Sequence, residues 1–507
     1  MAFSTRKSVV FIKQESTEAT LVAPASGTEA IAVQEGFSVE AAFETLSNDE
    51  LSAGVGAKAP ILGLEAPTAE VSAYIRHSGV EATAPNYDQL IKSAIGEKVA
   101  AFTEKVTTTS STAGSSTAPA VIKLASGGSD LQRGHSIMIK DTVYSIRPVM
   151  SVATNDLTLA FNLNSAPGTG ISTGRPILYK PSDTLPSNSL WVYRGNEAAV
   201  EAVAGVKVTE MSIEANAGEL LSGSFSMAGS GYYFDPIIIA STDQYLDFED
   251  DAGVAAAIVP ARAYKEPHEL AQTLQEAMAA VTSTTPTVTY SDTTGKFTIK
   301  TTGTLLTLKW STGTNTLNTI GDKLGFVVAS DDSGTAATTG YTSDSAQSFA
   351  APYTPTADSN VNPLVVKHNE VLIGDSYDSI ACQGVQSFTL SVGNEQIDIK
   401  DICAESAVAS KILSKRNVTC EMVVTLSQYE ASFFKNFRQG DDVRFCYNGG
   451  VKSGGNWIPG RCVSIFLPQS KISAFAVTDT DTIVTLTMTL TGYMPSDGAG
   501  DVYMNFL

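Results

Sequence analysis

Residues 384–440 read GVQSFTLSVGNEQIDIKDICAESAVASKILSKRNVTCEMVVTLSQYEASFFKNFRQG. Phe388, Leu390 and Val392 alternate with Thr389 and Ser391, so successive side chains point to opposite sides of a strand with one buried face. A polar stretch from Gly393 to Lys415 follows, read as a long loop. Then Val418, Cys420, Met422, Val424 and Leu426 alternate with Thr419, Glu421, Val423 and Thr425 as a returning strand. SQYEASFFKNFRQG closes the unit as a short helix, with Phe433, Phe434 and Phe437 on one stripe.

The same order stands earlier, over about 37–98. Val39, Ala41 and Phe43 oppose Glu40, Ala42 and Glu44; a loop runs from Thr45 to Thr68; Ala69, Val71, Ala73 and Ile75 return against Glu70, Ser72 and Tyr74. The helix NYDQLIKSAIGE carries Leu90, Ile91, Ala94 and Ile95 on one stripe. Asn86 with Gln89, and Ser427 with Glu430, have the spacing of capping boxes, and Gly96 and Gly440 suit the helix ends. Closing strands also match in kind: VTEMSIEA and GSFSMAGSGYYF in the first copy, KISAFAV and TIVTLTMTLTGYM in the second. Two related β-sandwich units in one chain predict a subunit that fills two places in a ring.

At 507 residues the chain has room for several domains, and 43% hydrophobic with 17% charged residues describes an ordered protein. The net charge of -20 argues against a phosphate-gripping nucleic-acid binder, whose affinity comes from Lys and Arg displacing counterions. It fits a surface that DNA passes without sticking. MAFSTRKSVVFIKQE lacks the apolar core of a signal peptide, and no segment has the apolar length of a transmembrane helix, which predicts a chain kept in a cytoplasm. The cysteines (Cys382, Cys403, Cys420, Cys446, Cys462) are odd in number and show no CxxC spacing, so neither a disulfide framework nor zinc is expected.

Two insertions interrupt the repeats. After the linker TTTSSTAGSSTAP, the short strands VIKLASGGSD, SIMIKDTVYSI and LTLAFNL predict a small barrel or sheet over 115–182. Over 241–360, Glu266-Pro267 starts a helix with Leu270, Leu274, Ala277, Met278 and Val281 on one face. TVTYSDTTGKFTIK, LLTLKW and GDKLGFV complete a self-contained α+β module. The expected fold class is mainly β: a first sandwich from 1–114 and 183–240 with an N-terminal arm, a second from 361–507, each with a flanking helix, and the two inserted modules.

No catalytic pattern stands in the chain. His77, His135, His268 and His368 include only His268-Glu269, without the second histidine that HExxH requires. No GxSxG, Walker loop or GxGxxG stands between a strand and a helix, and the GTGISTG run at 168–174 is not followed by a helical pattern. Glu249-Asp250-Asp251 and Asp331-Asp332 lack calcium-loop spacing and read as acidic turns. The expectation is a protein without enzymatic activity, cofactor or metal.

Sandwich, long loop, returning strand and flanking helix together resemble the major tail tube protein of long-tailed bacteriophages. FIKQESTEATLVAPASGTEAIAVQEGF resembles the extended arm that opens such proteins, and GVKVTEMSIEANAGELLSGSFSMAGSG and GVQSFTLSVGNEQ resemble their paired sheet strands. TVTYSDTTGKFTIKTTGTLLTLKWSTG with GDKLGFVVASDDSG is similar to a module that recurs as an insertion in phage virion proteins. The resemblance implies two tandem tail-tube β-sandwich domains whose inner sheets close into a continuous barrel, with stacked rings of three chains, or alternatively six, making a conduit for the genome. It also implies assembly in the host cytoplasm, a place in the virion tail, and tape-measure, terminator and baseplate proteins as partners, with DNA passing unbound. The long loops then become candidate inter-ring elements: Asn48, Asp49, Glu50, Leu51, Lys58 and Leu62 in one, and Glu395, Ile397, Asp398, Ile399, Asp401, Ile402 and Lys411 in the other. Their mix of acidic, basic and apolar residues suits an interface, and loops this long are uncommon unless functional. The competing readings are another tail component (terminator, baseplate or fibre protein) and a β-rich adhesin in which Trp191, Trp310 and Trp457 form sugar platforms.

Overall fold

The computed structural model describes residues 8–25, 29–50, 58–108, 110–195, 199–335, 337–347, 361–375, 377, 380–381, 384–404, 406–425, 431–480, 483–495, 498 and 500–507. The chain is mainly β and forms two compact units, each assembled from separated stretches. The larger draws its described residues from 28–188, 205–230 and 355–507, the smaller from 1–27, 189–204 and 231–354.

Eight strands follow one another antiparallel in the larger unit, as part of a larger continuous sheet. In chain order they are β1 (Ser38–Glu40), β2 (Thr68–Tyr74), β3 (Ala199–Asn216, from Gly205 on), β4 (Ser222–Ala228), β5 (Val385–Lys400), β6 (Val408–Thr425), β7 (Asn456–Thr480) and β8 (Ile483–Gly492). Their order across the sheet is β1–β2–β4–β3–β5–β6–β8–β7. The first four strands and the last four thus follow the same pattern, and β3 joins β5 along Glu210–Asn216 against Ser387–Gly393. The alternation in the sequence sets the faces as expected: Ala69, Val71, Phe225, Met211, Ile213, Leu390, Val392, Cys420, Met422 and Met488 are all buried. β7 is long because its first half serves a second ladder, pairing with Val443–Ser453 on one side and Tyr503–Phe506 on the other.

The two helices follow β2 and β6. Helix Asp88–Ile95 buries Leu90, Ile91, Ala94 and Ile95 completely, which is the expected stripe. Its cap differs from the expected box: Tyr87, not Asn86, is the N-cap, and no side chain caps the end. The reason is tertiary, since the Tyr87 hydroxyl donates to the Arg76 carbonyl and accepts from the Arg76 N–H, while Asp88 pairs with Lys98 and accepts from Tyr179. At the other end the Gly96 N–H bonds the Lys92 carbonyl at φ +137, where a Cβ would stand 2.5 Å from the Ser182 nitrogen. In helix Ala431–Gln439 only Phe433 of the three phenylalanines is buried. Phe434 and Phe437 lie against Phe475 with ring centroids 5.5 and 6.0 Å away, their other faces open. Ser427 and Glu430 of the second expected capping box, with Leu426, Leu51 and Cys382, lie outside the described residues.

The first insertion is a small barrel, and it starts at Lys105 rather than 115. Its strands run Lys105–Val106, Ser172–Thr173, Ser136–Ile139, Ser145–Ala153, Asp156–Leu159 and Val121–Lys123 in sheet order. Closure comes from Thr108 and Ala125, whose N–H groups donate to the carbonyls of Lys123 and Val106. Ile122, Leu124, Ile137, Ile139, Leu157 and Leu159 fill it.

His135 sits fully buried beside Phe102, ring centroids 5.6 Å apart, and burial lowers its pKa from 6.5 to about 4. The unfolded chain takes up that proton first as pH falls, so stability present above pH 6.5 is lost down to about pH 4. The full loss is about 3 kcal/mol. Urea titrations at pH 7 and pH 4.5 should show this loss, and His135→Gln should shrink it.

The smaller unit pairs Val9–Gln14 with Asn188–Arg194, and Glu201–Ala204 with Gly231–Phe234. Backbone pairing therefore takes the N-terminal arm, 189–204 and 231–240 out of the first sandwich and into the unit that carries the α+β module. Helix Pro267–Ala279 starts after Glu266 with proline in its first turn and buries Leu270, Leu274 and Met278. Val281 lies beyond the helix end and is exposed, so it is not part of the expected stripe. Phe248, Phe297, Ile299 and Trp310 join the same core. The acidic pairs hold turns here: Asp331 accepts from Ser311 and Thr312, and Asp250 from Thr282 and Thr284.

Candidate assembly surfaces

The two stretches read as loops are ribbons. β5 and β6 stay paired past the sheet, Glu395 opposite Lys415 and Lys400 opposite Val408, so the expected loop from Gly393 to Lys415 is mostly strand. In the first copy Phe43–Leu46 pairs with Ile61–Glu65, an antiparallel ribbon that takes in the end of the expected opening strand, where Phe43 is exposed rather than buried, and runs into the expected loop from Thr45 to Thr68. A backbone ladder satisfies the peptide groups that a long loop would leave to water, which is why the polar composition did not reveal it.

Both ribbons carry apolar residues into solvent. Ile397 (53% exposed), Ile399 (43%), Ile412 (49%) and Ile402 (102%) stand out on the second. Ile397 faces Ile412 across the ladder, so they share one face. The opposite face holds the ribbon in shape: Lys411 is buried and its Nζ lies 2.6 Å from Asp398. Lys411 thus braces the ribbon, and its carbonyl accepts from the Lys207 ammonium. Asn394 Nδ2 donates to the carbonyls of Ala94 (2.9 Å) and Val208 (3.1 Å), and Gln396 Nε2 donates to Val208 (3.0 Å). These bonds fix the root of the ribbon. Glu395 is exposed beside the root, and Asp401 turns the tip, accepting from the Cys403 N–H.

The first ribbon exposes Phe43, Leu46, Ile61 and Leu62. Asn48 accepts from the Glu50 N–H, Asp49 from the Ser47 hydroxyl, and Lys58 Nζ lies 2.6 Å from Glu50. Of the residues expected at an interface, Ile397, Ile399, Ile402 and Leu62 are exposed apolar side chains, whereas Asn48, Asp49 and Asp401 accept local turn hydrogen bonds. Phe43, Leu46, Ile61 and Ile412 are exposed in the same way and were not among the expected residues.

The solvent-facing side of the eight-stranded sheet is the second surface. One rung reads Ser72, Ser224, Ser212, Ser391, Thr419, Thr491 and Lys471 from β2 to β7. The neighbouring rung reads Tyr74, Ser222, Glu214, Thr389, Glu421 and Thr489. Glu70 and Glu210 lie on the other side, across Ser226. Hydroxyls and carboxylates cover this face, and Lys471 at its margin is the one base on these rungs.

Trp191, Trp310 and Trp457 are all buried, which removes the sugar-platform reading; Trp191 Nε1 donates to Val22 and Trp310 Nε1 to Asp332. Cys420, Cys446 and Cys462 are buried free thiols, and Cys403 is exposed. Among the described residues no three His, Cys, Asp or Glu side chains gather as a metal site, and no helix is long and apolar enough to cross a membrane. No protein-family profile matches this chain, and no curated protein matches it.

Proposed function

We propose that the chain is a structural subunit that polymerises with its own copies into stacked rings, as a tail tube through which a phage genome is delivered. The observation that carries this is the repeated strand order, β1–β2–β4–β3 followed by β5–β6–β8–β7, in one sheet. Two equivalent four-stranded blocks already joined edge to edge are two steps of a closing barrel, and three chains give six such blocks. Closure removes the edges that a sheet otherwise leaves open to aggregation. In this reading the hydroxyl and carboxylate face lines the bore, where Glu70, Glu210, Glu214 and Glu421 repel DNA phosphates. DNA passes without being held, because no row of bases on this face grips its phosphates.

The ribbons in this reading reach the neighbouring ring. Its role is mechanical, with no chemistry required of any side chain. Partners are further copies and the proteins that start, measure and cap the tube, in the virion tail. Negative-stain electron microscopy with light-scattering mass on purified protein tests it. Stacked rings with a central hole and a mass of three chains per ring are expected; a monomer at every concentration and after seeding overturns it.

A further inference from the structure

The two outer strands of the eight-stranded sheet each have an edge to offer. Among the described residues, β1 pairs only with β2, and β7 beyond Ser470 pairs only with β8. Inside the chain, the strand equivalent to β7 is β3, and the strand equivalent to β1 is β5. Those two are bonded to each other in an antiparallel ladder. The internal seam is therefore a template for a seam between copies.

Register transfers as well. Ser72 pairs with Ser224 and Ser224 with Ser212 in the first block; Thr419 pairs with Thr491 and Thr491 with Lys471 in the second. Lys471 thus takes the place of Ser212. By the same rungs, Gly393 opposite Asn417 corresponds to Ser38 opposite Glu70. Ser212 faces Ser391 across the internal seam, so Lys471 faces the backbone just before Ser38, where the Gln34 N–H bonds the Ser72 carbonyl. Exposed Glu35 stands at that point, and Glu70 is one rung along and one strand in. Within its own chain Lys471 has loose contacts, 3.9 Å from Asp442 and 5.9 Å from the centre of the Tyr493 ring, and its side chain is 52% exposed.

We propose that a second copy of this chain lays its β1 edge antiparallel on β7 in the register of the β3–β5 seam, with Lys471 of one copy received by Glu35 and Glu70 of the next. This rests on the ring reading above. A charge pair at the seam specifies which edges meet and opposes like-edge pairing, because juxtaposed like charges are strongly unfavourable across an interface.

The test is charge reversal on the full chain, with assembly read by microscopy and by the critical concentration for pelleting. Lys471→Glu is expected to raise the critical concentration at least about tenfold and to leave the monomer's melting temperature unchanged. Adding Glu70→Lys or Glu35→Lys to Lys471→Glu is expected to restore assembly. Normal assembly of Lys471→Glu, or loss that neither second substitution repairs, overturns the seam while wild-type tubes still stand. Absence of tubes from the wild-type chain instead overturns the ring reading itself.

Discussion

Replacing Ile397, Ile399, Ile402 and Ile412 together by serine is expected to abolish polymerisation and leave the monomer folded. All four side chains are 43% exposed or more, so none is part of a core. Surface substitutions of this kind change stability by about 0.5 kcal/mol or less each. Returning the exposed half of an isoleucine to an apolar contact contributes roughly 1 kcal/mol, from about 25 cal/mol per Å². Four of them give about 4 kcal/mol per contact, near a thousandfold in affinity. In a tube every subunit repeats that contact, so the threshold concentration for assembly should move out of reach. Circular dichroism melting would report the intact fold, and sedimentation with microscopy the lost tubes. Tubes that form at the wild-type concentration would remove the ribbon from the interface. The exposed Cys403 at the ribbon tip gives an independent readout: its alkylation by a maleimide should be slowed in tubes and fast in the monomer.

The largest loss of stability is expected from Arg416→Met. The guanidinium is 7% exposed and lies 3.7 Å from Asp501, itself 8% exposed. Its Nη2 donates to the carbonyls of Ile95 (2.7 Å) and Ser182 (3.1 Å), and its Nε to Asn394 (3.3 Å). One side chain therefore satisfies the end of helix Asp88–Ile95, the chain that follows the barrel insertion and the root of the β5–β6 ribbon. Burial already holds the Asp501 carboxyl above its ordinary range, with Arg416 the main opposing influence. Removing one partner of a buried pair costs about 3–5 kcal/mol, since the other is left uncompensated. Arg416→Lys should recover little, because one ammonium cannot span two carbonyls and an amide oxygen in a planar fork. Adding Asp501→Leu to Arg416→Met should return part of the loss by removing the stranded carboxyl. Denaturant titrations of the three variants decide it; a single variant within 1 kcal/mol of wild type would show that the pair is solvated.

Alternation along the chain was enough to set the faces of β2, β5, β6 and β8. The apolar stripe of helix Asp88–Ile95, the proline start of helix Pro267–Ala279 and the duplication were legible in the same way. These follow from local chemistry, in which side-chain spacing fixes the buried face whatever the partner. Which strand lies beside which emerges from the folded chain alone. Ladder bonds join backbone groups that are the same in every residue, so the β3–β5 seam left no mark in side-chain identity. For the same reason the polar stretch from Gly393 to Lys415 read as a loop although most of its backbone is paired. Tyr87 displaced Asn86 as a cap through a bond to Arg76, and pairing of Val9–Gln14 with Asn188–Arg194 moved the N-terminal arm out of the first sandwich. In each case a contact between distant parts of the chain outweighed a local preference.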